Sequence, residues 1–463
     1  MRRAVTLLVA SAVLAGCSME TPYVRPASPA PAAFPTGGPY PAQPAEAATS
    51  IRYAEVFTDP RLRTLVDQAL ANNRDLRVAA ADILAARAQY RIQRADRFPQ
   101  VDVTGRYART GDNGPDTGSN KGNSYSAQLG VTAFELDLFG RVRSLTGAAL
   151  QRYMATEEAA RAVRLTLVGD VAEAWLTYAA DASLLRIAEQ TVANAQRGVD
   201  LTQERLRGGV APRTDLRQAQ TILAAAQADV ARQRAAVAQD LNALQLLVGA
   251  PVDTALLSSS IEEAAPTLTQ LSAGISSDVL LRRPDIAEAE HQLRAMNAEV
   301  GAARAALFPT ISLTGTAGYA STTLSSLFKG GAYNYAVGGA LTYPIFRAGA
   351  GRAGVAFAKA ERDAALATYE KTIQSAFSET ADALARLGTI GDEQAADRLQ
   401  LEAASDTYTL ANARYRAGDE SFLTSLDAQR TLYAAQKTMV AIQLEGAVNR
   451  VDLYRALGGE TAP

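Results

Sequence analysis

The stretch Ala95-Asp96-Arg97-Phe98-Pro99-Gln100-Val101-Asp102-Val103-Thr104-Gly105 returns, with its pattern kept, as Ala305-Ala306-Leu307-Phe308-Pro309-Thr310-Ile311-Ser312-Leu313-Thr314-Gly315. In both copies a helical pattern meets Phe-Pro, where the missing proline N–H stops a helix, and an alternation of apolar and polar residues begins, the period of a strand. Other echoes keep the same spacing of about 209 residues, the mark of one duplicated unit. Asp137-Leu138-Phe139 pairs with Pro344-Ile345-Phe346, Arg205-Leu206-Arg207-Gly208-Gly209 with Arg414-Tyr415-Arg416-Ala417-Gly418, Ala219-Gln220 with Ala428-Gln429, and Leu244 with Leu453.

Working outward, each copy reads as a hairpin followed by very long helices. The first hairpin has strands at about 100–109 and 123–138 around a loop of turn residues, and the second has strands at about 310–320 and 334–346. Val101, Val103 and Tyr107 share one face, as do Tyr125, Ala127, Leu129 and Val131. In the second copy the apolar face carries Ile311, Leu313 and Tyr319, then Tyr335, Val337, Leu341 and Tyr343. Strands of about ten residues, apolar on one face with tyrosines near the ends, have the length and amphipathicity of membrane-crossing strands. Helices are expected at about 141–207 and 212–248, and again at about 349–417 and 419–457. The longest of these would be rods of roughly 100 Å at 1.5 Å per residue. In the first half, the helix before the hairpin plus the returning helix match the long helix in summed length. The second half behaves alike, so the two shorter helices of each repeat are expected to stack end to end beside the long one.

The start of the chain carries an address. Met1-Arg2-Arg3 precedes an apolar run from Ala4 to Ala15, and Leu14-Ala15-Gly16 leads to Cys17, the single cysteine. This reads as a signal peptide over residues 1–16, with Cys17 as a lipid-anchored first residue. Residues 17–58 are rich in proline and alanine and read as an extended tether from the lipid. The first repeat then covers 59–250, a connector 251–283, and the second repeat 284–459. Charges nearly balance, with 46 basic and 48 acidic residues, so nothing points to nucleic acid. No later apolar run is long enough for a membrane helix, so any crossing is made by strands.

Four strands cannot close a barrel, and an open edge in lipid leaves backbone groups unpaired. The chain is therefore expected to oligomerise, two copies giving eight strands and a filled interior, three giving twelve with room for a lumen. Around Ala159 to Tyr178 the apolar arc of the long helix is broad and rich in small residues. That suits a helix with a neighbour on each side, as in a closed cylinder, and also suits a bundle core.

Phe134-Glu135-Leu136-Asp137-Leu138-Phe139-Gly140-Arg141-Val142-Arg143, Leu281-Arg282-Arg283-Pro284-Asp285-Ile286 and the Phe308-Pro309 segment strongly resemble the outer-membrane factor family, the TolC and NodT type of efflux lipoprotein. The resemblance runs from about residue 53 to 459. It implies a mainly α fold with a membrane β-barrel: a homotrimer whose long antiparallel helices form a periplasmic α-barrel, with four strands per protomer in a shared twelve-stranded barrel, and an equatorial region that would hold the connector. It further implies docking to a periplasmic adaptor and an inner-membrane pump, usually of the resistance-nodulation-division class, as a passive export conduit in the outer membrane. In that family the helix tips narrow to a gate ringed by acidic residues. The nearest matches are Asp419 and Glu420 after Gly418, with Asp215 in the first repeat, and the tip residues Arg205, Gly209, Arg414 and Gly418 become candidate adaptor contacts. Physical chemistry supplies plainer roles too: Pro284, Asp285 and Asp215 suit helix starts, and Arg205 and Arg414 suit helix ends, where the backbone dipole favours their charges.

Two rival readings fit the residues less well. An enzyme is disfavoured, since one histidine, His291, and one cysteine assigned to lipid leave no nucleophile–base pair, metal cluster or phosphate loop, and no cofactor is expected. His291 is expected at a solvated surface position. A lipid-anchored structural or adhesive coiled coil would show narrow heptad seams and lack the tyrosine-flanked hairpins.

Overall fold

Phe98-Pro99 and Phe308-Pro309 separate helix from strand in both repeats of the computed structural model, which describes residues 19–42, 51–111, 122–269, 271–274 and 276–459. The first repeat contains α1 (Pro60–Asn72), α2 (Arg74–Ala95), β1 (Val101–Thr110), β2 (Gly122–Leu136), α3 (Arg141–Arg207) and α4 (Arg213–Val248). The second contains α5 (Pro284–Ala305), β3 (Thr310–Ser321), β4 (Tyr333–Thr342), α6 (Ala350–Ala417) and α7 (Phe422–Ala456). Two boundaries differ instructively from the sequence expectation. β4 stops at Thr342 because Pro344 has no N–H for the ladder. α7 begins at Phe422 and not at residue 419, because Ser421 caps it by accepting from Thr424 N at 3.2 Å.

The chain divides into two compact units. The first holds the described residues of 1–27, 81–157 and 288–369, including a four-stranded antiparallel sheet in the order β1-β2-β3-β4. Register aligns the apolar residues of all four strands. Val103 faces Leu129, Leu129 faces Ala317, and Ala317 faces Tyr335, so one alternation continues from strand to strand and across the repeat boundary. A bulge between Val131 and Phe134, with Ala133 at φ 53°, re-aims the end of β2 while Ala133 N donates to Thr314 Oγ1.

Residues 19–25, part of the stretch read above as an extended tether, pack along α5. Asn297 Nδ2 donates to Thr21 O at 2.9 Å and Arg304 Nη1 to Thr21 Oγ1 at 2.7 Å. Gly301 leaves room for the passing strap: a Cβ there would lie 2.9 Å from Glu20 Cα. Further on, Glu290, 8% exposed, accepts from Arg25 at 2.6 Å and from Arg294 at 2.6 Å, and Arg294 lies over the Tyr23 ring. Burial alone would raise the Glu290 carboxyl, but the hydrogen bonds from Arg25 and Arg294 outweigh it and hold it below the ordinary glutamate value. A depressed folded value means the contribution is complete above an unfolded pKa of about 4.3 and is lost as pH falls through the folded one. Glu290→Gln should loosen the strap by about 1–2 kcal/mol, discounted because Arg25 is half exposed. Pepsin cleavage within residues 19–25, followed as pH falls from 5 to 2.5, should rise in a step for the parent chain and be fast throughout for the variant.

The second unit holds the described residues of 28–80, 158–287 and 370–463. The strap continues here, with Ser277 Oγ donating to Pro31 O at 2.6 Å and Phe34 stacked on Phe377 at 5.4 Å. Trp175 is fully buried; its Nε1 donates to Leu256 O at 3.0 Å and Arg61 lies over its ring, which docks the connector on α3.

Helix stacking appears at matched places in this unit. Asn73, buried between α1 and α2, accepts from the backbone N–H groups of Asp75 and Leu76, capping α2, while its Nδ2 donates to Leu247 O at the end of α4, at 2.8 Å. One side chain thus satisfies unpaired groups of two helix ends, which otherwise each leave four. In the second repeat Arg283 does the equivalent work from the quoted Leu-Arg-Arg-Pro-Asp-Ile string. Its Nη1 donates to Ala456 O at the end of α7, at 3.0 Å, and its other nitrogens pair with Asp285 in the first turn of α5.

Candidate functional site

Two regions carry the functional signals. The first is the exposed face of the sheet. Val101, Val103, Leu129, Tyr335, Val337 and Leu341 all lie on it, with Val337 83% exposed and Val103 78%. A patch of large apolar side chains this continuous belongs against lipid or another protein. The opposite face of β1 and β4 carries Asp102, Thr104 and Arg106, and Asn334, Ala336 and Thr342. Within one chain β1 and β4 each pair on one side only, so the sheet has two open edges.

The second region is the turn joining the helices of each repeat, in the second unit. Both turns close by the same backbone device. Gly209 takes φ 74°, with Val210 N donating to Arg205 O and Gly209 N to Leu206 O. Gly418 takes φ 93°, with Asp419 N donating to Arg414 O and Gly418 N to Tyr415 O. A left-handed residue at this position lets the chain reverse while pairing the last carbonyls, which is why both copies place glycine there.

Arg205 reaches across the repeats. Its Nη1 donates to Tyr415 O at 2.6 Å and its guanidinium lies 4.8 Å over the Tyr415 ring. Tyr415, 5% exposed, pairs its hydroxyl with Thr202 Oγ1 at 3.1 Å and packs on Phe422 at 5.2 Å, in a cluster with Val199, Ala219 and Leu426. Arg414 Nη2 lies 3.7 Å from Glu420 Oε2, and Glu420 also accepts from Thr424 Oγ1. Asp419 is exposed and Asp215 sits in the first turn of α4. Among the described residues neither carboxylate has a side-chain hydrogen bond or ion pair. The structure therefore joins Arg205 to Tyr415 and Arg414 to Glu420, and leaves Asp419 and Asp215 apart. Sequence reasoning missed Tyr415 and Thr202 as tip residues. The available signal was the aromatic Tyr415 standing where the first repeat has Leu206.

Cys17 lies outside the described residues. His291, expected at the surface, is half-buried on α5 with Nδ1 2.7 Å from Gln151 Oε1, because α3 packs against that face of α5. Among the described residues no group of three or more His, Cys, Asp or Glu could hold a metal ion, and no helix is long and apolar enough to cross a membrane.

A family model described as "Outer membrane efflux protein" matches residues 65–250 and again residues 275–459. The two halves of the duplication are thus both matched. The chain is 44% identical over 461 residues to the probable efflux pump outer membrane protein TtgC of Pseudomonas putida, covering 98% of this chain and 95% of that protein. It is 41% identical over 458 residues to the outer membrane protein OprJ of Pseudomonas aeruginosa, covering 98% and 95%. The crystal structure of the open state of the MtrE outer membrane channel of Neisseria gonorrhoeae aligns with a TM-score of 0.85 at 34% identity, over 96% of this chain and all of that one. Duplicated helices, an apolar sheet with two open edges and matches along nearly its whole length place this chain in the outer membrane efflux protein family.

Proposed function

We propose that three copies of this chain close a twelve-stranded barrel in the outer membrane and form the exit duct of a tripartite efflux system, without catalysis of their own. The observation that carries this reading is the four-stranded sheet, with its apolar face exposed and both edges unpaired. In lipid every edge must be paired, and twelve strands give an interior wide enough for a water-filled lumen. Cys17 would carry the lipid that holds the strap to the membrane. A periplasmic adaptor would dock on the helix tips around Arg205, Gly209, Arg414 and Gly418, and would link the duct to an inner-membrane pump of the resistance-nodulation-division class. Detergent-purified protein should have the mass of a trimer and carry acyl groups on its Cys17 peptide. A monomer would remove the shared barrel, and an unmodified peptide would remove the anchor.

The tip turns are the proposed gate. The clasp of Arg205 on Tyr415 holds the turns of one chain together, and exposed Asp419 is free to face its copies around the aperture, where three carboxylates would favour cations. Asp419→Ala should raise single-channel conductance in a planar bilayer and lower cation selectivity. Unchanged values would take Asp419 out of the gate.

A further inference from the structure

Just inside the tip turns, the helices of the second unit leave a cavity of about 230 Å³. That is room for a small ion with several waters, at about 30 Å³ per water. Its polar wall includes Arg197 of α3, Tyr408, Asn412 and Arg416 of α6, and Ser425 and Gln429 of α7, and among the described residues no carboxylate lines it. Asp419, Glu420 and Asp215 are all absent from that lining.

Two positive charges thus face one space from different repeats. Among the described residues Arg416 has no ion pair or hydrogen bond, and Arg197 donates only to the neutral Asn194 Oδ1. Both guanidiniums act on the same phenol: burial raises Tyr408, while the charges of Arg416 and Arg197 oppose that rise. Gln429 Nε2 is buried and, among the described residues, donates to nothing. A buried donor left unpaired costs about 1–3 kcal/mol, and unneutralised like charges repel. Arg197 and Arg416 are exposed and keep their charge in water, so Gln429 Nε2 is the buried group that something else must complete.

We propose that this cavity binds a small, doubly charged oxyanion of the phosphate or sulfate class, with Arg197 and Arg416 as paired cations and the Gln429 amide as a third donor. Guanidinium forks match oxyanion geometry, and charge-assisted bonds are the stronger kind. A bound oxyanion ties α3 of the first repeat to α6 and α7 of the second, beside the contact of Arg205 with Tyr415. The site stands whether or not Asp419 forms a gate, since the two share no side chain.

The test uses the full-length channel in detergent and titrates inorganic phosphate by calorimetry at ionic strength held constant with sodium chloride. The expected result is saturable binding of one phosphate per chain, competed by sulfate, and weakened at least tenfold in Arg197→Gln and in Arg416→Gln. Gln429→Glu places a carboxylate in the cavity; it should abolish phosphate binding and, in phosphate-free buffer, melt nearer to the phosphate-loaded parent than to the empty one. Circular dichroism and the oligomer mass check that each variant folds. The proposal is overturned by the absence of saturable binding, by acetate binding as tightly as phosphate, by unchanged affinity in both arginine variants, or by Gln429→Glu binding phosphate like the parent.

Discussion

Val337→Arg should abolish assembly of the channel, whereas Ala336→Arg, one residue earlier on β4, should leave it intact. Val337 lies mid-strand, opposite Gly315, on the face shared by Leu129, Tyr335 and Leu341. An arginine near the bilayer midplane on the lipid face of a barrel costs about 2–4 kcal/mol, and three identical chains each incur that cost. Ala336 lies on the other face, opposite Thr316, where a wide lumen keeps a guanidinium hydrated. The measurement is the fraction of heat-sensitive oligomer on gels of outer-membrane fractions, with Val337→Leu as the size control. Equal behaviour of the two arginine variants would reverse the assignment of faces.

Arg283→Ala should lower the stability of the helical part well beyond what Asn73→Ala, its counterpart in the first repeat, costs. Its side chain is 10% exposed, pairs with Asp285 at 2.8 Å and Glu379 at 2.9 Å, and donates to the Ala456 carbonyl. Removal leaves the end of α7 without its donor and two carboxylates without their cation. Because Asp285 and Glu379 keep contact with water, the lower part of the range for broken buried pairs applies, about 2–3 kcal/mol. Arg283→Lys should recover little, since an ammonium cannot fork between Asp285, Glu379 and a carbonyl. The readout is the thermal unfolding midpoint at fixed protein and detergent concentration. A shift no larger than that of Asn73→Ala, which removes the neutral counterpart in the first repeat, would refute the stronger role given to Arg283.

These two sites differ in how far the sequence reveals them. The sheet was legible because its rule is local: Val101, Val103 and Tyr107 alternate within ten residues, and Phe98-Pro99 marks where the rule begins. The tip turns were legible for the same reason, since Gly209 and Gly418 occupy positions only glycine takes easily. What sequence could not show was pairing at a distance. Arg25 and Glu290 are 265 residues apart, and Arg205 and Tyr415 are 210 apart. No period or cap links them, so proline-rich residues 19–42 looked like a loose tether. Arg283 was intermediate: its string stood out as a signature and Pro284 as a helix start, but its grip on Ala456 depends on α7 ending beside it. Asp419 and Glu420 show the limit of analogy, as both were candidates by position and only Glu420 meets an arginine.

The two open edges of the sheet also have a genetic consequence. On the proposed three-chain closure no duct can be built from two sound copies and a gap, because the missing strands expose backbone on both neighbours. A chain that keeps its edges but carries a harmful change elsewhere still enters the ring. Where sound and faulty chains are made in equal amounts and mix at random, only about one duct in eight is wholly sound. Faulty alleles of this kind should therefore be dominant, while alleles that destroy β1 or β4 should be recessive, since their products never join.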